Sequence, residues 1–392
     1  MTWFNFQPKL NHRKDQGLYR SRHTLASPQT PEIWCEGKKY LAFCSNNYLG
    51  LANHPDIVSA FQQGANRFGV GGGASHLIIG HSTPHHQLEE ELAAFTGRER
   101  TLLFANGYMA NLGVISALLG KSDAIFLDRL NHASLLDAGK LSGARFHRYR
   151  HSCCEHLKDR LKKSHTKRKL VVTDGVFSMD GHVALLPQLA DISYKHDAWL
   201  MVDDAHGFGF LGKNGGGSAE HFGLSQQKVP VLMGTLSKAF GVYGAFVAGS
   251  HELIETLIQF ARTYIYTTSI PPAIAEASRV SLKLVQRENW RREHLNDLIH
   301  YFCQGCDALN IQRIQSTTPI HPIPVGSAKV ATKISHALAE SGILVTAIRP
   351  PTVPPNTSRL RISLTAAHTR NHVDRLLSAL KQATQQHLCE EG

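Results

Sequence analysis

The sequence predicts an α/β protein: a large, mainly parallel sheet covered by helices, followed by a smaller α+β unit. From about residue 100 onward, short apolar runs ending in polar or glycine residues alternate with segments of helical period, as strands buried on both faces between helices require. After about residue 280 the pattern changes to a long polar helix and then short strands. At 392 residues the chain is long enough for two or three packing units, each with its own core.

Taken in order, the strands of the large unit fall at 101–105, 124–128, 145–149, 170–174, 198–203, 230–234 and 244–249. Helices fit between several of them, notably over 107–119, 133–142, 185–196 and 251–260. The C-terminal unit reads as strands near 320–325, 343–348 and 359–364 and a closing amphipathic helix near 370–387. A hairpin-like stretch, IWCEGKKYLAF, lies in the first 50 residues and is expected to pack with this unit. The expected division is therefore an N-terminal arm over 1–48, a large domain over 49–283 and a small domain over 284–392.

Composition narrows the class. With 42% hydrophobic and 19% charged residues, 32 Gly and 16 Pro, the chain is an ordinary globular protein and not a collagen-like or disordered one. No stretch reaches the roughly 18 apolar residues of a membrane span, and the first residues lack an apolar signal core, so the expectation is a cytoplasmic protein with no membrane partner. The excess of 42 Lys+Arg over 31 Asp+Glu favours an anionic partner, such as a phosphorylated cofactor, a coenzyme A ester or an acidic carrier protein. Nucleic acid is not expected: the densest basic run, Lys158 to Lys169, has no interleaved aromatics and reads as a solvated helix face.

Seven Cys without regular spacing read as free thiols, and Cys303-Gln-Gly-Cys306, lying in a helical pattern without a second pair, reads as packing. The 24 His are scattered without ligand spacing, so no metal is expected. Gly207-Phe-Gly209-Phe-Leu-Gly212 matches G-x-G-x-x-G after a strand, but a further glycine-rich loop follows where a phosphate-binding helix would have to start. Gly69 to Ala74 follows a helical segment and not a strand; both stretches read as loops near a ligand.

In open α/β sheets, ligands bind beyond the carboxyl ends of the strands. Those ends deliver Asn106-Gly107-Tyr108, His132, Asp174 with Ser178, Asp203 with His206, and Thr235 with Lys238. Asp203 ends an apolar strand, where a lone carboxylate is costly. Lys238 follows another buried strand, where desolvation and neighbouring charge can lower its pKa. A lysine able to form a Schiff base and an aspartate able to hold a protonated pyridine nitrogen are the protein groups that pyridoxal 5'-phosphate needs. Spacing alone leaves a structural ion pair between the two equally open. Gly107 and Tyr108 at a strand-to-helix turn offer free N–H groups for a phosphate, and Ser178, Thr235 and Ser237 offer hydroxyls. His132 is placed to stack on a ring, although taken alone it reads as a loop histidine with its bonds satisfied, and only the set of strand-end residues together favours the stacking role.

With these residues in hand, VVTDGVFSMDG (171–181), MVDDAHGFG (201–209), GTLSKAFG (234–241) and YTTSIPP (266–272) resemble the α-oxoamine synthases, pyridoxal-phosphate enzymes of transferase fold type I. The resemblance covers nearly the whole chain. Within the family, GLYRSR (17–22), FCSNNYLGL (43–51) and VTAIRPPTVPPNTSRLRISLTAAHT (345–369) are similar to the branch that condenses L-alanine with a pimeloyl thioester in biotin biosynthesis. Glycine-using members are the neighbouring alternative.

The resemblance implies roles. Lys238 would bind the cofactor and later take the Cα proton of L-alanine. Asp203 would pair with the pyridine nitrogen, His206 would bond the phenolic oxygen, and His132 would stack on the ring. Gly107, Tyr108, Ser178 and Thr235 would hold the cofactor, while Thr267 or Thr268 would reach the phosphate of the neighbouring subunit, making a homodimer with a shared active site. Asn46 and Arg349 would grip the amino-acid carboxylate, and Arg20 and Thr352 would contact the acyl donor, pimeloyl-CoA or a pimeloyl carrier protein. One departure stands out: GVGGGASHLIIGHSTPHH (69–86) carries His76 and His81 where relatives have other residues.

Overall fold

A computed structural model describes residues 4–388. In chain order its strands are β1 (Glu32–Cys35), β2 (Lys38–Ala42), β3 (Arg100–Phe104), β4 (Ala124–Asp128), β5 (Arg145–Tyr149), β6 (Lys169–Asp174), β7 (Trp199–Asp203), β8 (Val231–Thr235), β9 (Ala245–Gly249), β10 (Ile320–Gly326), β11 (Ile343–Leu344), β12 (Thr346–Ile348) and β13 (Ser358–Ser363). The chain divides into two compact units.

The larger unit comprises Leu49–Ser178 and Val183–Arg292. Its seven-stranded sheet has the order β3-β9-β8-β7-β6-β4-β5. β5, β4, β6, β7 and β8 run parallel, and β9 is antiparallel to both β8 and β3. All five residues of β4, β8 and β9 are buried, which is why these segments read as continuous apolar runs and not as alternating ones. Ile125, Leu127, Val172, Met201, Val231 and Val247 belong to one core, where each such side chain stabilises by roughly 1.5–3 kcal/mol relative to exposure. The division expected at 283/284 falls inside the helix Pro272–Arg287, and residues through Arg292 stay with the larger unit. That helix lies close against the helix Pro55–Phe68: a Cβ on Gly64 would meet the Ala273 backbone at 2.8 Å, so only glycine permits the approach.

The glycines of the G-x-G-x-x-G stretch serve packing. Asp204 is fully buried, accepts a hydrogen bond from the Ser218 N–H, and is pushed up to about 7 by burial. A Cβ on Gly207 would overlap Asp204 Oδ1, and one on Gly217 would overlap Oδ2. Glycine backbone and Ser218 therefore surround this carboxyl.

The smaller unit comprises residues 1–48, 179–182 and 293–392, of which the described part is taken here. One sheet has the order β1-β2-β11, with β1 antiparallel and β11 parallel to β2, so the N-terminal hairpin is completed by a strand more than 300 residues away. The second sheet, β10-β13-β12, is antiparallel. The loop residues 179–182 are tied here by the Arg359–Asp180 ion pair and by the Ser316 and Thr318 hydroxyls, which donate to Gly181 O. Among the described residues no helix is long and apolar enough to cross a membrane.

Candidate active site

The carboxyl ends of the parallel strands in the larger unit converge on a cavity of about 200 Å³. Gly107, Tyr108, His132, Asp203, His206, Thr235 and Lys238 all line it, with Asn111, Ser134, Asp174 and Ser237. Each arrives by the same device, in which an apolar strand delivers a polar residue at its C-terminal edge. β7 ends in Asp203, β8 in Thr235 with Lys238 three residues on, and β4 leads to His132, the N-cap of the helix Ala133–Leu141.

Asp203 is buried, and its two oxygens have separate donors: Ala205 N–H to Oδ1 at 3.0 Å and Asn111 Nδ2 to Oδ2 at 2.7 Å. Lys238 Nζ lies 2.8 Å from His206 Nε2. Asp174 pairs in register with Asp203 across adjacent strands, and burial together with that neighbouring carboxylate raises its pKa well above the usual range. Asp174 Oδ2 also accepts the His132 backbone N–H at 3.0 Å.

One hydrogen-bonded chain links the aspartate to the histidine. Asn111 Nδ2 donates to Ser134 Oγ at 2.8 Å, and Ser134 Oγ lies 2.8 Å from His132 Nδ1, which the Ser134 backbone N–H also faces at 3.3 Å. With Asn111 occupying its acceptor side, the Ser134 hydroxyl donates to Nδ1. Desolvation, reinforced by Lys238 and opposed by Asp203 and Asp137, lowers the His132 pKa, so the ring is neutral and the network assigns its proton to Nε2. Sequence reasoning missed Asn111 and Ser134. Their one signal was position: Asn111 stands one turn inside a helix whose start had been recognised, and Ser134 is the second residue of another.

The expected roles of Asn111 and Asp203 can be separated experimentally. Asn111→Ala leaves Asp203 Oδ2 and Ser134 Oγ without this donor, a loss of about 1–3 kcal/mol. Denaturant unfolding reads that loss, and kcat is expected to fall while KM for the amino-acid substrate holds, because the substituted side chain supports Asp203 and not the substrate.

The cavity fits pyridoxal phosphate on this structure's own features. The helix Gly107–Leu118 starts at its rim, and Asn106 caps the Met109 N–H, so the first amides of the helix remain for an anion. A Cβ on Gly107 would make only an ordinary contact, 3.4 Å, with Met233 Cε, so packing by itself does not demand glycine here. Thr235 Oγ1 and Ser237 Oγ, 2.8 Å apart, add hydroxyls, and Lys238 and Asp203 supply the amine and the carboxylate. Tyr108 OH donates to Asp137. Ser178 is half-buried and is not among the lining residues, and Thr268 is exposed and bridged to Ser75.

The substrate-side residues expected from sequence lie in the smaller unit. Arg20, Arg349 and Thr352 line a second cavity there, of about 400 Å³. Arg349 donates to Tyr19 O at 3.4 Å and Thr332 Oγ1 at 3.3 Å; burial and the neighbouring Arg20 lower its pKa. Asn46 is not among that cavity's lining residues. Its Oδ1 accepts from Arg361 Nη1 and Tyr48 OH, each at 3.2 Å. Arg361, buried on β13 and also donating to Ser363 Oγ, was not singled out from sequence.

A lysine and an aspartate at the strand ends of such a sheet, with a helix N-terminus at the rim, define an α/β enzyme of the aminotransferase kind. The chain belongs to the aminotransferase class I and II family, whose sequence profile matches residues 38–380. More particularly, it is 62% identical over 371 residues to the 8-amino-7-oxononanoate synthase of Cellvibrio japonicus, covering 95% of this chain and 93% of that one. Among solved structures, a serine palmitoyltransferase of S. paucimobilis with bound pyridoxal phosphate superposes with a TM-score of 0.92 at 30% identity, covering 97% of each chain. The 8-amino-7-oxononanoate synthase of Francisella tularensis superposes at 0.79 with 33% identity, over 88% of this chain and 98% of that one.

Proposed function

We propose that this chain is an 8-amino-7-oxononanoate synthase that uses pyridoxal phosphate to condense L-alanine with a pimeloyl thioester, releasing CO₂ and the free thiol carrier in biotin biosynthesis. The observation that carries the reading is the convergence of Lys238, His206, Asp203 and His132 on one cavity, in a chain 62% identical to a synthase of that name. A C–C bond forms between alanine Cα and the acyl carbonyl carbon, the C–S bond breaks, and the carboxyl group leaves as CO₂.

When bound, pyridoxal phosphate supplies an electron-withdrawing ring that takes up the electron pair left at Cα. The chain's own residues do the rest. Asp203, its orientation held by Asn111 and Ala205, keeps a proton on the pyridine nitrogen. Lys238 Nζ takes the Cα proton, with His206 Nε2 beside it to orient the amine. His132 covers the ring and presents Nε2–H to the substrate. Gly107, Tyr108 and Thr235 hold the cofactor, with the amides at the helix start facing the phosphate. Asn46 and Arg349 take the alanine carboxylate, and Arg20 and Thr352 the acyl donor.

We also propose a homodimer in which Thr268 reaches the partner's cofactor phosphate. Support comes from the exposure of Thr268 and from the exposed apolar residues that follow its bridge partner Ser75, where Ile78 and Ile79 are 74% and 82% exposed. Coenzyme A and carrier thioesters are cytoplasmic substrates, which assigns the enzyme to that compartment.

The test is thiol release by the cofactor-loaded protein from pimeloyl-CoA with L-alanine, glycine or L-serine in turn. Release with L-alanine and little with the others is the expected result. Release only with glycine would reassign the chain to another branch of its family. No release despite a bound cofactor would exclude pimeloyl-CoA and turn the assay to the carrier-protein thioester.

A further inference from the structure

The histidine-rich stretch from residue 76 to 86 plays no part in the reaction above, yet the fold gathers it into a cluster. His81 stands two residues before the helix Thr83–Thr96, and His86 and Glu89 lie three residues apart on that helix, hence on one face. One ligand atom from each of these three side chains lies within 4.8 Å of the others, and all three line a cavity of about 280 Å³ in the larger unit. We propose that His81, His86 and Glu89 form a binding site for a first-row divalent transition-metal ion of the zinc class.

Ligand chemistry selects the ion. Two imidazoles and one carboxylate suit zinc, cobalt or nickel and do not suit calcium or magnesium, which take oxygen ligands. His81 Nε2 and Glu89 Oε2 are 3.9 Å apart, and bonds of about 2.0–2.2 Å from a shared ion bring two tetrahedral ligands to about 3.3 Å, so small side-chain shifts close the site. His86 is exposed, which leaves the third side open for entry and for a water ligand.

The surroundings divide ligands from supports. His85 also lies near His76 and His81, but both of its nitrogens are committed: Nδ1 to Ser82 N and Oγ at 3.1 and 2.9 Å, and Nε2 to Ile270 O at 2.8 Å. It caps the helix and does not ligate. His76 Nδ1 sits 3.0 Å from His81 Nδ1, and in the tautomer in which His81 donates, this contact holds the His81 ring. That bond leaves the His81 Nε2 lone pair facing Glu89, the arrangement by which a partner group orients a ligating histidine. Glu89 Oε1 is held by the Leu103 N–H at 3.0 Å. Arg100, on the same cavity, has its own counter-charge in Glu255.

A bound ion would pin the turn at residues 81–82 to the helix behind it. Ser75, just before the helical turn His76–Gly80 that leads to His81, forms a β-bridge with Thr268, so the ion would also stiffen the segment carrying Thr268.

The experiment is zinc titration of chelator-treated holoenzyme in competition with a chromophoric chelator, comparing the wild type with His86→Gln, Glu89→Gln and His300→Gln, the last an exposed histidine on the helix Trp290–Ala308. The expected result is one competing equivalent in the wild type and in His300→Gln. A weakening of about 10–100-fold or more is expected in His86→Gln and Glu89→Gln. Because His86 is exposed, His86→Gln keeps the test valid even if Glu89→Gln does not fold. No competing equivalent in the wild type, or one of unchanged affinity in His86→Gln, would overturn the proposal.

Discussion

Lys238→Ala is expected to abolish thiol release and, in parallel, the visible absorption of the lysine-bound cofactor. The amine has two duties, covalent attachment of the cofactor and removal of the Cα proton, and the second alone is worth roughly 10²–10⁴-fold in rate. Its Nζ stands 2.8 Å from His206 Nε2, a spacing that alanine cannot reproduce. Stopped-flow absorbance with an excess of L-alanine, together with single-turnover thiol release, reads both duties. Turnover within tenfold of wild type would remove Lys238 from the mechanism.

Asp203→Asn should give the second largest effect, with a different signature. The amide keeps the shape, but its single oxygen can replace only one of the two carboxylate oxygens that accept from Ala205 N–H and Asn111 Nδ2, and it cannot hold a proton on the pyridine nitrogen by charge. Loss of a single electrostatic contact of this kind costs about 10²–10³-fold in kcat. The loss is expected in exchange of the alanine Cα proton for deuterium, followed by proton NMR, while cofactor attachment to Lys238 persists. Wild-type exchange in Asp203→Asn would mean that the carboxylate is structural, the ion-pair alternative that spacing alone left open.

Much of this site was legible because parallel strands are the most readable elements of the chain. Burial on both faces makes a strand a continuous apolar run, and the residue that breaks the run is the one delivered to the ligand. Asp203, Thr235 and Lys238 were found that way. Asn111 and Ser134 were not, because a buried polar residue inside a helix has no periodic mark, and its partners are 92 and 23 residues distant from Asn111. The cluster of His81, His86 and Glu89 escaped for a related reason. The sequence shows no His-Glu-x-x-His spacing, and the cluster joins His81 of a turn to His86 and Glu89 of the following helix. Ser178 shows the converse, since proximity in sequence to a strand end did not bring it to the cavity lining.

The buried carboxyl of Asp204 has an evolutionary consequence. Gly175, Gly207 and Gly217 each lack a side chain where one would overlap the same two oxygens. These positions are therefore not independent: a methyl gained at any of them evicts Asp204, and a smaller residue at 204 relaxes the demand on all three together. Four positions spread over more than forty residues are thereby coupled through one carboxyl group. Of the pattern that resembles a nucleotide-binding fingerprint, Gly207 makes room for that aspartate, while Gly209 and Gly212 make room for Ala239 and Glu220.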